Sequence, residues 1–329
     1  MRKKIALVAG GYSGESVISL ASAKTIQRNL DADLYEVYVI IVEKQSWWHD
    51  SATDGRIEVD KNDFSLTLSG QKITFDLAFI AIHGSPGEDG KLQGYFDLIG
   101  LPYSTCNTLI SAVTFNKALC NNALRSCHVT NIAHSVLLHK KRSFSLGSIL
   151  ETLTFPVFVK PNESGSSLGV SKVSQPANIL PAIEKAFAES EQILIEEFIE
   201  GTELTIGVYR INGSIHTLPA TELVSKNEFF DYEAKYTKGV TDEITPARVS
   251  TEIKDTLEKT AKAIYEVLHC DGMVRIDFIL QKDSNKLFFL EVNTVPGQSE
   301  NSLIPQQIAA AGMSLKDFYG NLIEELLSR

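Results

Sequence analysis

Val274-Arg275-Ile276-Asp277-Phe278-Ile279-Leu280 and, after a polar turn at Asp283-Ser284-Asn285, Leu287-Phe288-Phe289-Leu290-Glu291-Val292-Asn293 read as the two strands of one hairpin. Strand side chains repeat with a period of two, so Arg275 shares a face with Asp277, and Glu291 with Asn293. A hairpin centred on Ser284 sets Asp277 opposite Glu291 and Arg275 opposite Asn293. Two carboxylates and an amide oxygen then converge beside one guanidinium. Hard oxygen donors of this kind suit Mg²⁺, which keeps substrate phosphates in its shell. The plainer alternative is a solvated polar face with a surface salt bridge. Four such groups on one face, followed by Thr294-Val295-Pro296-Gly297, favour a site.

Other segments supply phosphate and substrate chemistry. Val159-Lys160-Pro161-Asn162-Glu163-Ser164-Gly165-Ser166-Ser167-Leu168-Gly169-Val170 delivers a lysine and then a Gly/Ser loop whose backbone N–H groups can wrap phosphate oxygens. Taken alone it reads first as an ordinary surface turn. No G-x-x-x-x-G-K-[ST] and no G-x-G-x-x-G occurs, so the chain is no P-loop enzyme and lacks the dinucleotide fingerprint. Gly10-Gly11-Tyr12-Ser13-Gly14-Glu15 carries a carboxylate, and His83-Gly84-Ser85-Pro86-Gly87-Glu88-Asp89-Gly90 an imidazole and two acids. A buried Glu can receive an ammonium and a His can orient a carboxylate, although a lone His after a strand is more often structural.

Residues 5–9, Tyr35–Val42 and 77–82 are short apolar runs, and Ser16–Asn29 carries Val17, Leu20 and Ala21 at helical spacing. This alternation predicts a parallel sheet with helices on its faces, and ligands beyond the carboxyl ends of its strands, where residues 10–15 and 83–90 both lie. Farther on, residues 111–124 predict a helix, and residues 156–160, 193–198 and 204–210 predict strands. Asn212-Gly213 marks a hairpin turn between residues 209–211 and 215–218. Residues 253–268 predict an amphipathic helix with Ile253, Leu257, Ala261, Ile264 and Leu268 on one stripe, and Leu315–Leu327 a last helix.

At 329 residues the chain has room for two or three packed units, and 43% apolar residues are enough for real cores. A net charge of -10 without a basic stripe argues against a nucleic-acid partner. It also means that a nucleotide site must be made positive locally, by placed lysines and metal ions. Cys106, Cys120, Cys127 and Cys270 show no C-x-x-C spacing and read as free thiols of a reduced, cytoplasmic protein. Met1-Arg2-Lys3-Lys4 before residues 5–9 mimics a signal peptide, but the apolar run is too short and runs into a glycine loop. No apolar stretch approaches the roughly 18 residues of a membrane span.

Together the segments GGYSGESVISL at 10–20, HGSPGEDGKLQG at 83–94, VKPNESGSSLGVSKV at 159–173, FFDYEAKY at 229–236, VRIDF at 274–278 and LEVNTVPGQSENSLIP at 290–305 resemble the D-alanine–D-alanine ligases of the ATP-grasp superfamily. The resemblance runs in order from about Lys4 to about Asp317. It implies a mixed α/β and α+β, ATP-grasp architecture. In it, an N-terminal parallel α/β unit at 1–105 precedes a central unit at 106–200 and a C-terminal unit at 201–329, and the latter two clasp ATP. It implies that Glu15 binds the ammonium of a first D-alanine with His83 nearby, and that Ser166 and Tyr236 hydrogen-bond with Glu15 and close the site. Lys117, Lys160 and Lys235 would contact ATP phosphates. Glu196, Glu203 and the backbone around Glu197, Phe198 and Ile199 would hold adenosine, with Ser166 also near the nucleotide. Asp277, Glu291 and Asn293 would hold two Mg²⁺, for which Mn²⁺ can substitute. Arg275 and the Gly297 N–H would stabilise the oxyanion, and Ser302 and Leu303 would bind the second carboxylate. Residues 162–169 and 228–241 are expected as lids. The implied activity is ATP-dependent formation of D-alanyl-D-alanine for peptidoglycan precursors by a homodimer. D-lactate or D-serine as second substrate is one alternative, and a non-catalytic ATP-binding protein another. Phe115-Asn116-Lys117 departs from the Met-Asp-Lys often seen in the family, and Ser104-Thr105-Cys106 from a common Thr-Gly segment.

Overall fold

The computed structural model describes residues 2–163, 165, 168–225 and 241–328. β1 (Lys3–Gly10) is buried from Ile5 onward, as an apolar run at the centre of a sheet should be. α1 (Ser16–Asn29) crosses back to β2 (Tyr35–Val42), which pairs parallel with β1 from Lys3↔Tyr35 to Gly10↔Val42. β3 (Trp47–Ser51) and β4 (Gly55–Glu58) extend that edge antiparallel. β5 (Leu66–Leu68) and β6 (Gln71–Ile73) form a separate hairpin, and β7 (Leu77–Ile80) pairs parallel with the other side of β1. The order is β4-β3-β2-β1-β7, so the expected parallel sheet is parallel only across β2, β1 and β7. The glycine loops at 10–15 and 83–90 follow the carboxyl ends of β1 and β7, as expected.

α1 buries Ser19, Ser22, Ala23, Thr25 and Ile26 rather than the Val17, Leu20 and Ala21 stripe. Val17 is 72% exposed and Leu20 38%. Ala23 and Ile26 join the core, Ser19 accepts from the Gly10 N–H of β1 at 2.9 Å, and Ser22 faces His83, while Val17 and Leu20 are left exposed.

α2 (Lys91–Ile99) is followed by α3 (Thr108–Phe115) and α4 (Lys117–Cys127), two helices where one was expected. Asn116 leaves helical geometry (φ -89, ψ 100), and its side chain accepts from the Leu119 N–H at 3.0 Å as the N-cap of α4. β8 (Ser135–His139), α5 (Leu146–Thr152), β9 (Val157–Pro161), β10 (Ser171–Val173), α6 (Ile179–Glu189) and β11 (Gln192–Glu197) build an antiparallel sheet of order β10-β9-β11-β8 with the two helices packed on it.

The third sheet is formed by β12 (Gly201–Ile211), β13 (Ser214–Thr217), β14 (Thr221–Ser225), β15 (Thr241–Ile244), β16 (Met273–Gln281) and β17 (Leu287–Asn293). Its order is β15-β14-β12-β16-β17, with β13 also on β12. Asn212 and Gly213 both take positive φ (51 and 70), as the turn between β12 and β13 requires. α7 (Thr251–Val267) precedes β16 and buries Leu257, Ala261 and Ile264, and α8 (Leu303–Ala310) and α9 (Leu315–Leu327) end the chain.

The β16–β17 ladder is not regular. Arg275↔Asn293 and Asp277↔Glu291 pair as expected, but toward the turn the partners become Phe278↔Phe289 and Leu280↔Leu287. Leu290 is the extra residue of a β-bulge. Unbroken alternation would put Glu291 on the same face as Leu287 and Phe289, which are buried in the core. The bulge reverses the parity, so that Val292 is buried instead and Glu291 and Asn293 join Asp277 and Arg275.

One core cluster joins β1, α1 and β7 to Tyr209, Met273, α8 and α9, so the first sheet and the C-terminal helices share an interior. α4 places Cys120 and Leu124 in the core of the third sheet. The four-stranded sheet keeps a cluster of its own, from Leu138 to Ile195. No helix among the described residues is long and apolar enough to cross a membrane.

Candidate active site

β12, β16 and β17 lie side by side, and two rows of partners cross them: Thr205↔Asp277↔Glu291 and Gly207↔Arg275↔Asn293. Asp277, 4% exposed, is the hub. Arg275 donates Nε to its Oδ1 at 2.9 Å and Nη2 to its Oδ2 at 2.7 Å, a forked charge-assisted pair. The Thr205 hydroxyl donates to Oδ1 at 2.5 Å, and the Asn293 amide to Oδ2 at 3.1 Å. Burial works against the Arg275 charge, but Asp277, Glu291 and Glu203 outweigh it and hold the guanidinium above its ordinary pKa. Glu291 lies 3.5 Å from Lys117 Nζ. Among the described residues no cluster of three or more His, Cys, Asp or Glu is set to hold a metal. The donor set is two carboxylates and the Asn293 amide, which turns its nitrogen toward Asp277.

Lys117 is the first residue of α4, whose opening N–H groups are all taken. Lys117 N donates to Asn162 O (3.1 Å), Ala118 N to Asn162 Oδ1 (2.9 Å) and Leu119 N to Asn116 Oδ1 (3.0 Å). The side chain, not the helix end, is therefore what reaches Glu291. Lys160 on β9 lies 2.5 Å from Glu196 Oε2 on β11, so these two expected residues are brought together. Glu197 accepts from the Thr154 N–H at 2.7 Å. The N–H groups of Glu197 and Phe198 already donate to His134 and Pro156, which restricts what that backbone can offer a ligand. Phe198 is packed edge-on to Phe158 and lies under the Lys172 ammonium at 4.0 Å. Ile199 follows at the partly buried end of this stretch. Glu203, on β12, is paired with Ile279, and its charge helps to hold the Arg275 guanidinium above its ordinary pKa.

Glu15 is wedged between two glycine loops: a Cβ on Gly165 would lie 2.9 Å from its Oε1, and one on Gly84 3.1 Å from its Oε2. Beside it opens a cavity of about 730 Å³ lined by Val17, Ile18, Phe115, Glu163 and Leu168, so the exposed Val17 of α1 lies on its wall. His83 is 8% exposed, with Nδ1 2.8 Å from Val295 O and Nε2 3.3 Å from Ser22 Oγ. Both ring nitrogens thus face protein groups, which fix the ring beside Glu15 and the loop at 295–298. Burial lowers its pKa, with the Glu15 charge acting the other way, and so favours the neutral ring. Gly297 lies close to Ser302, whose Oγ is 2.7 Å from Ser299 Oγ at the start of α8, with Leu303 next.

Ser166, Lys235 and Tyr236, and almost all of the expected lid at 228–241, lie outside the described residues. Thr205 and Ser22 are not expected in the site from the sequence. Neither belongs to a pattern of its own; each is found only through the partner that the fold sets against it, whereas Glu88 is one of the two acids of the 83–90 segment. The buried thiols of Cys106, Cys120 and Cys270 lie in the core, and burial pushes Cys120 up to about 12, which keeps it unreactive.

Two family models cover most of the chain: D-ala D-ala ligase N-terminus at residues 4–106 and D-ala D-ala ligase C-terminus at 130–327. A D-alanine–D-alanine ligase of Parabacteroides distasonis is 47% identical over 327 residues (99% of this chain, 98% of the relative). One of Flavobacterium johnsoniae is 47% identical over 322 residues, 98% of each chain. Among solved structures, the VanG D-Ala:D-Ser ligase of Enterococcus faecalis superposes with a TM-score of 0.89 at 30% identity, covering 99% of this chain and 100% of that one. The D-alanine–D-alanine ligase of Bacillus anthracis complexed with ATP gives 0.79 at 27% identity, covering 99% and 98%. With two strand rows joining acids, amide and guanidinium, and with relatives matching end to end, the chain belongs to the D-alanine–D-alanine ligase family, ATP-dependent enzymes of the ATP-grasp fold.

Proposed function

We propose that this site activates the carboxylate of one D-alanine with ATP and lets the amine of a second displace the phosphate. The observation that carries this reading is the gathering of Arg275, Asp277, Glu291 and Asn293 on one sheet face, with Lys117 set against Glu291. A carboxylate oxygen of the first D-alanine attacks the γ-phosphorus of ATP, and ADP leaves. The amine of the second then attacks the acyl carbon of the acyl phosphate. The C–N bond forms, the C–O bond to phosphate breaks, and the amine loses a proton. The dipeptide enters peptidoglycan precursors.

Asp277, Glu291 and the Asn293 amide oxygen would hold two Mg²⁺, or Mn²⁺ in their place; all three are hard oxygen donors and fit such an ion. Bound there, the metal offsets charge on the ATP phosphates. Lys117, Lys160 and Lys235 add to that neutralisation, and Glu196, Glu203 and residues 197–199 hold adenosine. Glu15 receives the first ammonium, with Ser166 and Tyr236 closing over it. Arg275 and the Gly297 N–H meet the charge that grows on the acyl oxygen, and Ser302 and Leu303, at the start of α8, take the second carboxylate. Water must be kept from the acyl phosphate, a task for residues 162–169 and 228–241. The units at 1–105, 106–200 and 201–329 each bring one sheet to this work, in a cytoplasmic homodimer.

The test is ADP release by the full chain with D-alanine, L-alanine, D-serine or D-lactate, each with and without Mg²⁺. Release that needs both D-alanine and the metal is expected. ADP release indifferent to D-alanine overturns the reading. The similarity to a D-Ala:D-Ser ligase makes D-serine the informative competitor: its preferential incorporation as second substrate would replace D-alanine in that role.

A further inference from the structure

We infer that Ser22 is a positioning residue for this reaction, acting through His83 and Gln298 to fix the loop at 295–298 that presents the Gly297 N–H. The inference deepens the oxyanion role proposed for Gly297 and rests on it.

The hydrogen-bond roles follow from elimination. The Val295 carbonyl can only accept, so the His83 Nδ1 at 2.8 Å carries the proton. In a neutral ring Nε2 is then an acceptor. The hydroxyl facing it at 3.3 Å belongs to Ser22, fully buried on α1. Ser22 has one proton to give and lone pairs to receive with; it takes the Gln298 N–H at 3.1 Å. Each group is used in a single compatible way. With the other tautomer, an unprotonated Nδ1 would face a carbonyl and the bond to Val295 would be lost. The Val295 carbonyl therefore selects the tautomer, and donation by Ser22 satisfies the Nε2 that this tautomer leaves as an acceptor.

The grip is continued on both sides. Gln298 donates Nε2 to the Pro296 carbonyl at 3.1 Å, and its Oε1 accepts from the Tyr319 hydroxyl on α9 at 2.9 Å. Glu88 accepts from the Gly84 N–H at 2.7 Å and faces the Val295 N–H as well. Val295, Pro296 and Gln298 are thus tied to α1, α9 and the loop after β7, and Gly297 lies between them. A helical hydroxyl can instead bond to the carbonyl four residues back, as Thr25 does with Ala21 at 3.3 Å. Ser22 turns away from its own helix toward the loop. An oxyanion donor is effective only when held where the charge will develop, so slack in this loop is felt in the chemical step and not in nucleotide binding.

The test has two arms on the full chain. ¹⁵N-histidine NMR of the wild type, with the His83 signal identified by its loss in His83→Asn, is expected to show the Nδ1-protonated tautomer. An Nε2-protonated or cationic His83 overturns the inference without any need for a Ser22 variant. In the kinetic arm, Ser22→Ala is expected to lower kcat for D-alanine-dependent ADP release about tenfold, the loss of one hydrogen bond, with the KM for ATP within about twofold of wild type. A kcat within about twofold of wild type overturns it, as does a parallel change in both constants, which marks general distortion. Should the wild type release no ADP with D-alanine, the ligase reading itself fails, while the tautomer still reports on the Ser22–His83 pair.

Discussion

Arg275 directs both arms of its fork at Asp277, two residues away on the same strand face. That pairing orients the guanidinium for the oxyanion role proposed above. Arg275→Ala should therefore cost roughly 3–4 kcal/mol of barrier, a turnover some 10²–10³-fold lower, and Arg275→Lys should recover little, because a single ammonium cannot replace the planar fork. ADP release with D-alanine measures both; a Lys variant within a few-fold of wild type would refute the dependence on geometry. Glu88 makes a separate case. Burial raises its carboxyl to about 7, helped by the charges of Glu15 and Glu291 and opposed by the Gly84 and Val295 N–H groups. Its folded pKa thus lies above the ordinary 4.5, and the native state holds the proton more tightly. The stability this gives is full below about pH 4.5 and is lost as the pH rises through about 7. Melting of metal-free protein at pH 5 and pH 8 should show wild type losing more stability than Glu88→Gln across that interval; equal losses would count against the assignment.

At the scale of the element, Asn162 is the joint between β9 and α4. It is fully buried, its Oδ1 accepts from Ala118 N, its carbonyl accepts from Lys117 N, and its amide meets Gln192 Oε1 at 3.1 Å. Asn162→Ala strands the buried Ala118 N–H and leaves the half-buried Gln192 Oε1 without this donor, and should cost roughly 2–3 kcal/mol in urea unfolding. Less than about 0.5 kcal/mol would mean that water replaces the side chain. None of this joint is legible in the sequence, since Asn162 reads only as one member of a Gly/Ser loop. Residues 111–124 read as one helix for a related reason. Nothing local in Phe115-Asn116-Lys117 breaks a helix as Gly or Pro would, and Asn116 ends α3 because it caps α4 and donates to Glu163 at 2.6 Å. The hairpin of β16 and β17 is more instructive. Its register at Arg275 and Asp277 can be read from spacing alone, because ligand-type residues sit two apart on each strand. The bulge at Leu290 cannot, because its cause is the burial of Phe289 and Val292 on the same side of an interrupted ladder. α1 misleads by periodicity as well: the face it buries carries Ser19, Ser22 and Ala23, and a hydrophobic stripe is then the wrong marker.

Across the whole molecule, the distribution of cores determines which parts can move. The first sheet shares one interior with α8, α9 and the β12–β13 end of the third sheet, whereas the four-stranded sheet packs on itself with α5 and α6. Among the described residues its ties to the rest are mainly polar: Asn162 at α4, the Asn116–Glu163 hydrogen bond, Lys282 with Glu200, and the bridge Asn131↔Phe288. Few apolar contacts cross that boundary, so this sheet has the lowest cost of displacement as a unit. It also carries Lys160 and Glu196, while Lys117 and Glu291 lie on the other side. A nucleotide reaching both lysines would join the two bodies and suppress their relative opening. Hydrogen exchange should then show added protection in β9 and β11 and in the start of α4 when ATP and Mg²⁺ are present. The strands β1 and β7, inside the shared core, should be unchanged. Removing the metal with a chelator should reverse most of the gain, since charge on the phosphates would then be met by lysines alone. Protection gained equally in all three sheets would instead mean that the chain closes as one rigid body, and that the separate core of the four-stranded sheet has no mechanical consequence.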